Sequence, residues 1–497
     1  MTNSALSPEI EAIVAAADAA APALAAASPK QRAKALVAVA DALEAHGVEL
    51  IQIAMSETGL TEARLTGELK RTAVQLRLFA DTVVAGEYLD VRIDAADPNF
   101  ALGQRPDLRR YHIPVGPVLN FSASNFPFAF SVAGGDSAAA LAAGAPLIVK
   151  GHSGHPALSV ATAKVVRDAL AAAGMPAGTF DLILGQEAGV EVLKDPRIKA
   201  GSFTGSIHAG RMLADIAASR PTPIPFFGEL GSVNPVFVTA AAIAETSDDL
   251  AAGFMLSVAG SAGQLCTKPG FVFAPVGHGL DEKIVAESTK YGEHRLLNPR
   301  IAKSYAEGRQ RAIDTAGVRV IVEGGIRFDD QGQGWATPTV VAVGLDDFHA
   351  NRAVLAEEVF GPFSIIVEYP ADADLAHLLE DNFAGNLTAT VHLSSEERAG
   401  KTANFAELQE LVLQMSKQAG RVLFGGWPTG VAVTPAQQHG GPYPATTNDS
   451  STSVGTAAIQ RAPEAFLPAP LTQANEWNIP RTEAPAGEST DWGSQAR

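Results

Sequence analysis

The chain's patterning predicts an α/β fold: two parallel-sheet units, an all-helical lead-in and a small β arm. Three observations carry that expectation. Short apolar runs alternate with Ala-rich helical stretches from about residue 110, which is βαβ rhythm. The runs are continuously apolar rather than alternating, as strands covered on both faces are. A second series of such runs follows from about 232 to 430.

Residues 7 to 87 read as helices. Ser28-Pro29-Lys30-Gln31 has an N-cap serine with Gln at the third position, and Thr61-Glu62 opens another helix through Leu65, Leu69, Val74, Leu76 and Phe79. Strands are expected near 117–121, 146–149, 179–183 and 200–203, with helices near 127–143, 156–173 and 207–219 between them. Later strands are expected near 234–238, 271–275, 318–323, 365–369, 387–393 and 420–424. Residues 88–112 and the Pro-rich tail from 462, with a strand-like Trp477-Asn-Ile479, suggest a projecting arm.

Composition narrows the function. Of 497 residues, 46% are apolar and 18% charged, so the chain is globular. Its 37 Lys+Arg against 54 Asp+Glu argue against nucleic acid, which needs a basic face. The Ala-rich stretch 12–27 is broken by Asp18 and Pro22 and is too short to span a bilayer, so no membrane partner is expected. The acidic, non-basic start is not a secretory signal, and the cysteine usage fits a reducing cytoplasm.

The single cysteine, Cys266, excludes an intrachain disulfide and a multi-thiolate metal site, and no metal is expected. It is either a small buried hydrophobe or a nucleophile. A nucleophile needs a base, an oxyanion donor and a substrate. Glu229, in Phe227-Gly-Glu-Leu-Gly231, suits a base with a raised pKa or a salt-bridged carboxylate at a junction. Asn125, between a strand and a helix, suits an oxyanion donor or an ordinary cap. No Gly-x-Gly-x-x-Gly follows a strand; instead Thr204-Gly205-Ser206 opens a helix whose N-terminal N–H groups suit an anion. Lys150, at a strand end, suits a cofactor-binding cation or a solvated lysine.

These segments, in this order, resemble the aldehyde dehydrogenase superfamily over about residues 110 to 445. The likeness rests on Asn125-Phe-Pro127, Lys150, Phe203-Thr-Gly-Ser206, Glu229-Leu-Gly231, Gly263-Gln-Leu-Cys266 and Glu358-Val-Phe-Gly-Pro362. It implies two Rossmann-like parallel-sheet domains plus a small β oligomerisation arm. An NAD(P)-binding domain would span 1–87 and 113–231, and a catalytic domain 232–430. The arm would be 88–112 and 462–490, with a substrate-mouth loop at 431–461. It implies that Cys266 attacks an aldehyde and ends as a thioester, that Asn125 and the Cys266 N–H hold the oxyanion, and that Glu229 activates the hydrolytic water. Lys150, Gly205, Ser206, Glu358 and Phe360 would bind the cofactor. A homodimer or homotetramer follows from the arm.

Two departures refine the resemblance. Many NAD-dependent members carry Pro-x-Glu after the strand lysine; here the run is Lys150-Gly-His-Ser153. Ser153 in the Glu place removes repulsion against a 2′-phosphate, pointing to NADP with NAD also accepted. His152 and His155 read as surface histidines. The run His439-Gly-Gly-Pro-Tyr-Pro444 resembles a narrower branch of α-ketoglutarate semialdehyde (2,5-dioxopentanoate) and NADP-dependent fatty aldehyde dehydrogenases. The pocket mouth would then hold Phe126, Phe130, Leu265, Thr267 and Tyr443. A dicarboxylic semialdehyde needs a cation, and only Lys268 is near in sequence. Acyl transfer to coenzyme A, and a silent binding protein on the same fold, are the competing readings; both are disfavoured by the presence of Glu229 and Cys266 together.

Overall fold

The computed structural model describes residues 6–461 and 463–466. The helical lead-in comprises Pro8–Ala25, Pro29–Ala45, Gly47–Thr58 and Glu62–Ala85. Ser28 and Gln31 close a reciprocal capping box, and Thr61 Oγ1 accepts from Arg64 N.

A five-stranded sheet follows, all parallel, in the order Phe180–Ile183, Leu147–Lys150, Val118–Phe121, Ala200–Thr204, Phe226–Glu229. The first strand in sequence lies in the middle, so the order reverses there, and ligands bind beyond the carboxyl ends at such a point. The register sets those ends side by side: Phe121 pairs with Lys150 and Phe203, and Thr204 with Glu229. The second to fourth lead-in helices pack on one face, burying Leu36, Leu65, Leu76 and Phe79. The opposite face carries Pro8–Ala25, Gln186–Lys194 and Ile207–Ala218 around Leu119, Ile148 and Leu213.

The second sheet runs Arg319–Val322, Thr339–Gly344, Phe363–Tyr369, Phe271–Pro275, Val236–Val238, Asn386–His392, Ala419–Phe424. Only Arg319–Val322 pairs antiparallel. Phe237 stacks on Phe273 at 4.7 Å in its core. Of the arm, Arg92–Asp94 pairs with Leu108–Arg110, and His112–Pro114 with Pro463–Phe466. Trp477–Ile479 and the rest of the tail beyond 466 lie outside the described residues.

Three differences from the sequence reading have physical causes. The helix expected near 127–143 starts only at Asp136. Pro127 opens the stretch, Gly135 sits at φ +54°, and the N–H groups of Phe128 and Ala129 are taken by Glu68 Oε1 at 2.8 and 2.9 Å. Phe226–Glu229 is a strand hidden behind the Pro-rich Pro221–Pro225. Thr339–Gly344 is a central strand that the reading omitted.

Glu68 carries a clear test. It is buried, holds two backbone N–H groups of another segment and pairs with Arg64. Glu68→Ala is expected to lose about 3 kcal/mol, read as a lower urea midpoint, because it strands buried donors. An unchanged midpoint would show those groups finding other partners.

Candidate active site

A cleft of about 560 Å³ opens beyond the carboxyl ends of the first sheet and reaches Cys266. It brings together Asn125, Lys150, Ser153, Gly205, Ser206, Glu229, Cys266, Glu358 and Phe360. All catalytic and cofactor residues expected from sequence line this one space.

Cys266 sits on a loop shaped by strain and by one amide. Ser261, Ala262 and Gly263 all take positive φ, at 51°, 53° and 61°. A Cβ on Gly263 would lie 2.2 Å from the Gly361 carbonyl oxygen, so only glycine fits. Asn234 Nδ2 donates to the carbonyls of Cys266 (2.8 Å) and Lys268 (3.0 Å). Because one amide binds the carbonyls on both sides of Thr267, that side chain tucks inward and is buried.

Glu229 ends its strand with 1% exposure. Segment 445–447 pairs along that edge: Leu230 N donates to Ala445 O and Thr447 N to Gly228 O, with a bridge between Glu229 and Thr446. This carries His439 and Ser453 onto the carboxylate. His439 Nε2 lies 3.0 Å from Glu229 Oε1 and 3.4 Å from Cys266 Sγ. Ser453 Oγ donates to Glu229 Oε2, while Oε1 has no aligned donor among the described residues.

The electrostatics follow. Burial pushes the Cys266 thiol well above its ordinary value, and the charge and hydrogen bond of Glu229 push the same way. Burial also pushes Glu229 up, but His439, Ser453 and Arg461 outweigh it, so its carboxyl rests below the usual range. The raised Glu229 expected from its apolar sequence setting is therefore overturned by partners distant in sequence. Asn125 donates one amide N–H to Gln264 O at 3.1 Å, next to Cys266. That leaves its second N–H for another acceptor.

At the other end of the cleft, Lys150 lies beside Arg300, and burial lowers its ammonium first, with the Arg300 charge second. Ser206 Oγ caps its own helix by accepting from Ala209 N. Of the two histidines read as surface residues, His155 is interior and His152 is half-buried in the cleft wall. His155 is buried, bonded to Ala123 O and Ser159 Oγ, and His152 Nδ1 accepts from Gly154 N.

The expected pocket mouth divides. Phe126 and Phe130 pack edge to face at 5.4 Å, and Phe130 lies 6.1 Å from the His439 ring. Leu265 is half-buried beside Cys266. Tyr443 is not at the mouth: its carbonyl accepts from Gly385 N, and its exposed ring faces Arg211. Lys268 also turns away, donating to Phe363 O and Val359 O. His439, Ser453, Asn234 and Arg300 went unassigned in the sequence reading. A histidine paired with a lone cysteine 173 residues upstream was the available signal for His439.

Residues 2–430 match the family described as "Aldehyde dehydrogenase family". The chain belongs to the aldehyde dehydrogenase family. It is similar to Alpha-ketoglutaric semialdehyde dehydrogenase 2 of Azospirillum brasilense, 42% identical over 90% of this chain and 86% of that one. Alpha-ketoglutaric semialdehyde dehydrogenase of Acinetobacter baylyi is 38% identical over 91% of this chain and 86% of its own. In fold it resembles an NADP-dependent enzyme of E. coli, with a TM-score of 0.75 at 24% identity over 92% of this chain and 89% of that chain. As an aldehyde dehydrogenase this chain is an oxidoreductase that oxidises an aldehyde with NAD(P). Among the described residues no helix is long and apolar enough to cross a membrane.

The raised thiol makes a pH prediction. Thiolate is scarce at neutral pH, so alkylation of the ligand-free enzyme by iodoacetamide is expected to accelerate as pH rises past the ordinary thiol range. One equivalent per chain reacts, since Cys266 is the single cysteine. Glu229→Gln removes a raising charge and moves the midpoint to lower pH. A midpoint unmoved in that variant would show that Glu229 does not act on the thiol.

Proposed function

We propose that this aldehyde dehydrogenase oxidises α-ketoglutaric semialdehyde (2,5-dioxopentanoate) to 2-oxoglutarate, with NADP preferred over NAD. The observation that carries the chemistry is the cluster of Cys266, His439 and Glu229, whose ligating atoms lie within 4.8 Å of one another at the cleft. The substrate is supported by the two relatives of that name, alike along almost the whole chain.

The residues perform the steps as follows. His439 Nε2, 3.4 Å from Sγ, takes the Cys266 proton as sulfur attacks the aldehyde carbon. The free Asn125 N–H and the Cys266 backbone N–H face the developing oxyanion. A bound NAD(P) supplies the hydride acceptor. The acyl group is then held as a thioester on Cys266. Glu229, its carboxyl held below the usual range by its partners, takes a proton from water; the hydroxide attacks the thioester carbon and sulfur leaves as thiolate.

The cleft suits the cofactor. Gly205 and Ser206 open the helix Ile207–Ala218 with N–H groups placed for an anion. A Cβ on Gly231 would lie 2.3 Å from Glu358 Oε2, so a bare backbone keeps this wall close. Around Lys150 and Ser153 the lining includes Arg300 and no carboxylate, which favours a 2′-phosphate. On this reading 1–87 and 113–231 bind the cofactor, 232–430 carries Cys266 and 431–461 closes the substrate mouth. The exposed ribbon in 88–112 joins chains as a homodimer or homotetramer, and a cytoplasmic setting suits the lone thiol.

Two measurements test the proposal. The kcat/KM for 2,5-dioxopentanoate should exceed that for hexanal and decanal, and NADP should serve better than NAD; preference for the aliphatic aldehydes would sink the substrate assignment. Ser153→Glu should shift the NADP:NAD preference about tenfold toward NAD by adding repulsion. Separately, Glu229→Gln should lower steady-state turnover by about 10²-fold or more while a rapid burst of NADPH remains. Intact turnover in that variant would refute thioester hydrolysis by Glu229.

A further inference from the structure

A dicarboxylate semialdehyde brings a second anion into a cleft that already holds Glu229 and Glu358. Some cation must receive it. Lys268 is spent on the carbonyls of Phe363 and Val359, Arg461 is paired with Asp136, and Lys150 lies at the cofactor end.

One cation is left. Arg71 projects from the helix Glu62–Ala85 and lies 5.9 Å from the Phe126 ring and 5.3 Å from the Phe130 ring. Phe130 in turn adjoins His439, the neighbour of Cys266. Burial is the main influence on the Arg71 guanidinium and lowers it, while the nearby Glu68, Cys266 and Glu229 push the other way. Arg71 Nη1 is buried and has no hydrogen-bond partner among the described residues.

Its neighbour explains why it stays free. Arg64 stacks on Phe126 at 4.4 Å, donates through Nε to Ser261 Oγ and pairs through Nη1 with Glu68. Glu68 is used up by that pair and by two backbone N–H groups. Arg64 and Glu68 thus pair with each other, and among the described residues Arg71 makes no ion pair of its own. A guanidinium in such a place is costly without an anion, and its planar fork fits a carboxylate through two parallel hydrogen bonds.

We propose that Arg71 is the specificity-determining residue that binds the distal carboxylate of the substrate, with Phe126 and Phe130 orienting its guanidinium. The inference rests on the substrate reading above and adds the group that recognises the acid.

The test uses the full-length enzyme with NADP and two aldehydes of equal length, 2,5-dioxopentanoate and pentanal. Arg71→Met should lower the ratio of their kcat/KM values about 100-fold, mostly through KM for the acid. Arg71→Lys, which keeps charge but not the fork, should recover part of it. Should the Met variant fail to fold, the Lys variant decides, since a retained ratio there with a raised KM for both aldehydes would overturn the proposal. Equal losses for both aldehydes, or none, would also overturn it. Inhibition of pentanal oxidation by 2-oxoglutarate separates this idea from the substrate reading. If the wild type prefers pentanal, the substrate reading fails alone, and loss of 2-oxoglutarate inhibition in Arg71→Met still supports an anion site. Inhibition retained at the wild-type level in that variant rules the site out.

Discussion

A carboxylate buried as deeply as that of Glu229 needs partners, because an isolated charge in a low-dielectric interior is far too costly. Its partners, His439 and Ser453, come from a segment more than two hundred residues downstream. To deliver them, the chain leaves the second sheet and adds residues 445–447 to the edge of the first. Strand-edge pairing and charge satisfaction therefore have one solution between them. Cys266, on a loop of the second sheet, meets Glu229 only because this crossing brings His439 between the two.

The same geometry sets an electrostatic order along the cleft. Cations stand at its two ends, Lys150 with Arg300 at one and Arg71 near the other, while Glu229, Glu358 and Cys266 lie between. On the proposed reading, an anionic cofactor and an acidic aldehyde would each be drawn to its own end and repelled from the middle. The arrangement also keeps the thiol protonated at rest, since burial and the neighbouring acids all oppose thiolate. On the proposed mechanism reactivity then depends on a proton moving to His439 when the carbonyl is in place, and a resting thiol resists adventitious oxidation better than a thiolate.

Much of this was legible in the sequence. Continuous apolar runs marked most of the parallel strands, and Lys150 was recognisable as a strand-end residue because ligand sites lie at those ends; Glu229 stood out by its apolar, Gly-rich setting although its strand was missed. Caps at Ser28 and Thr61 were readable because they involve residues three apart. What escaped was non-local. The fall in the Glu229 pKa depends on His439, Ser453 and Arg461, none of which adjoins it in sequence. The late helix start at Asp136 depends on Glu68 capturing N–H groups sixty residues away. Tyr443 looked like a pocket residue by its place in a loop, yet that loop spends its carbonyl on Gly385 and turns the ring outward. Local periodicity reports which face is buried; it says nothing of which distant polar group arrives there.

Arg64 shows how tightly the wall and the nucleophile loop are joined. Its Nε holds Ser261, the first of three consecutive residues at positive φ. Non-glycine residues in that region cost free energy and persist only when their surroundings hold them. Ser261 O is held by the Gln264 amide, so Arg64 adds a second tether from a separate helix. The stacked ring of Phe126 shares that guanidinium. An arginine so committed cannot swing toward a ligand without loosening the turn that presents Cys266. Arg71 stands seven residues on, about two turns along the same helix, and its Nη1 has no hydrogen-bond partner among the described residues.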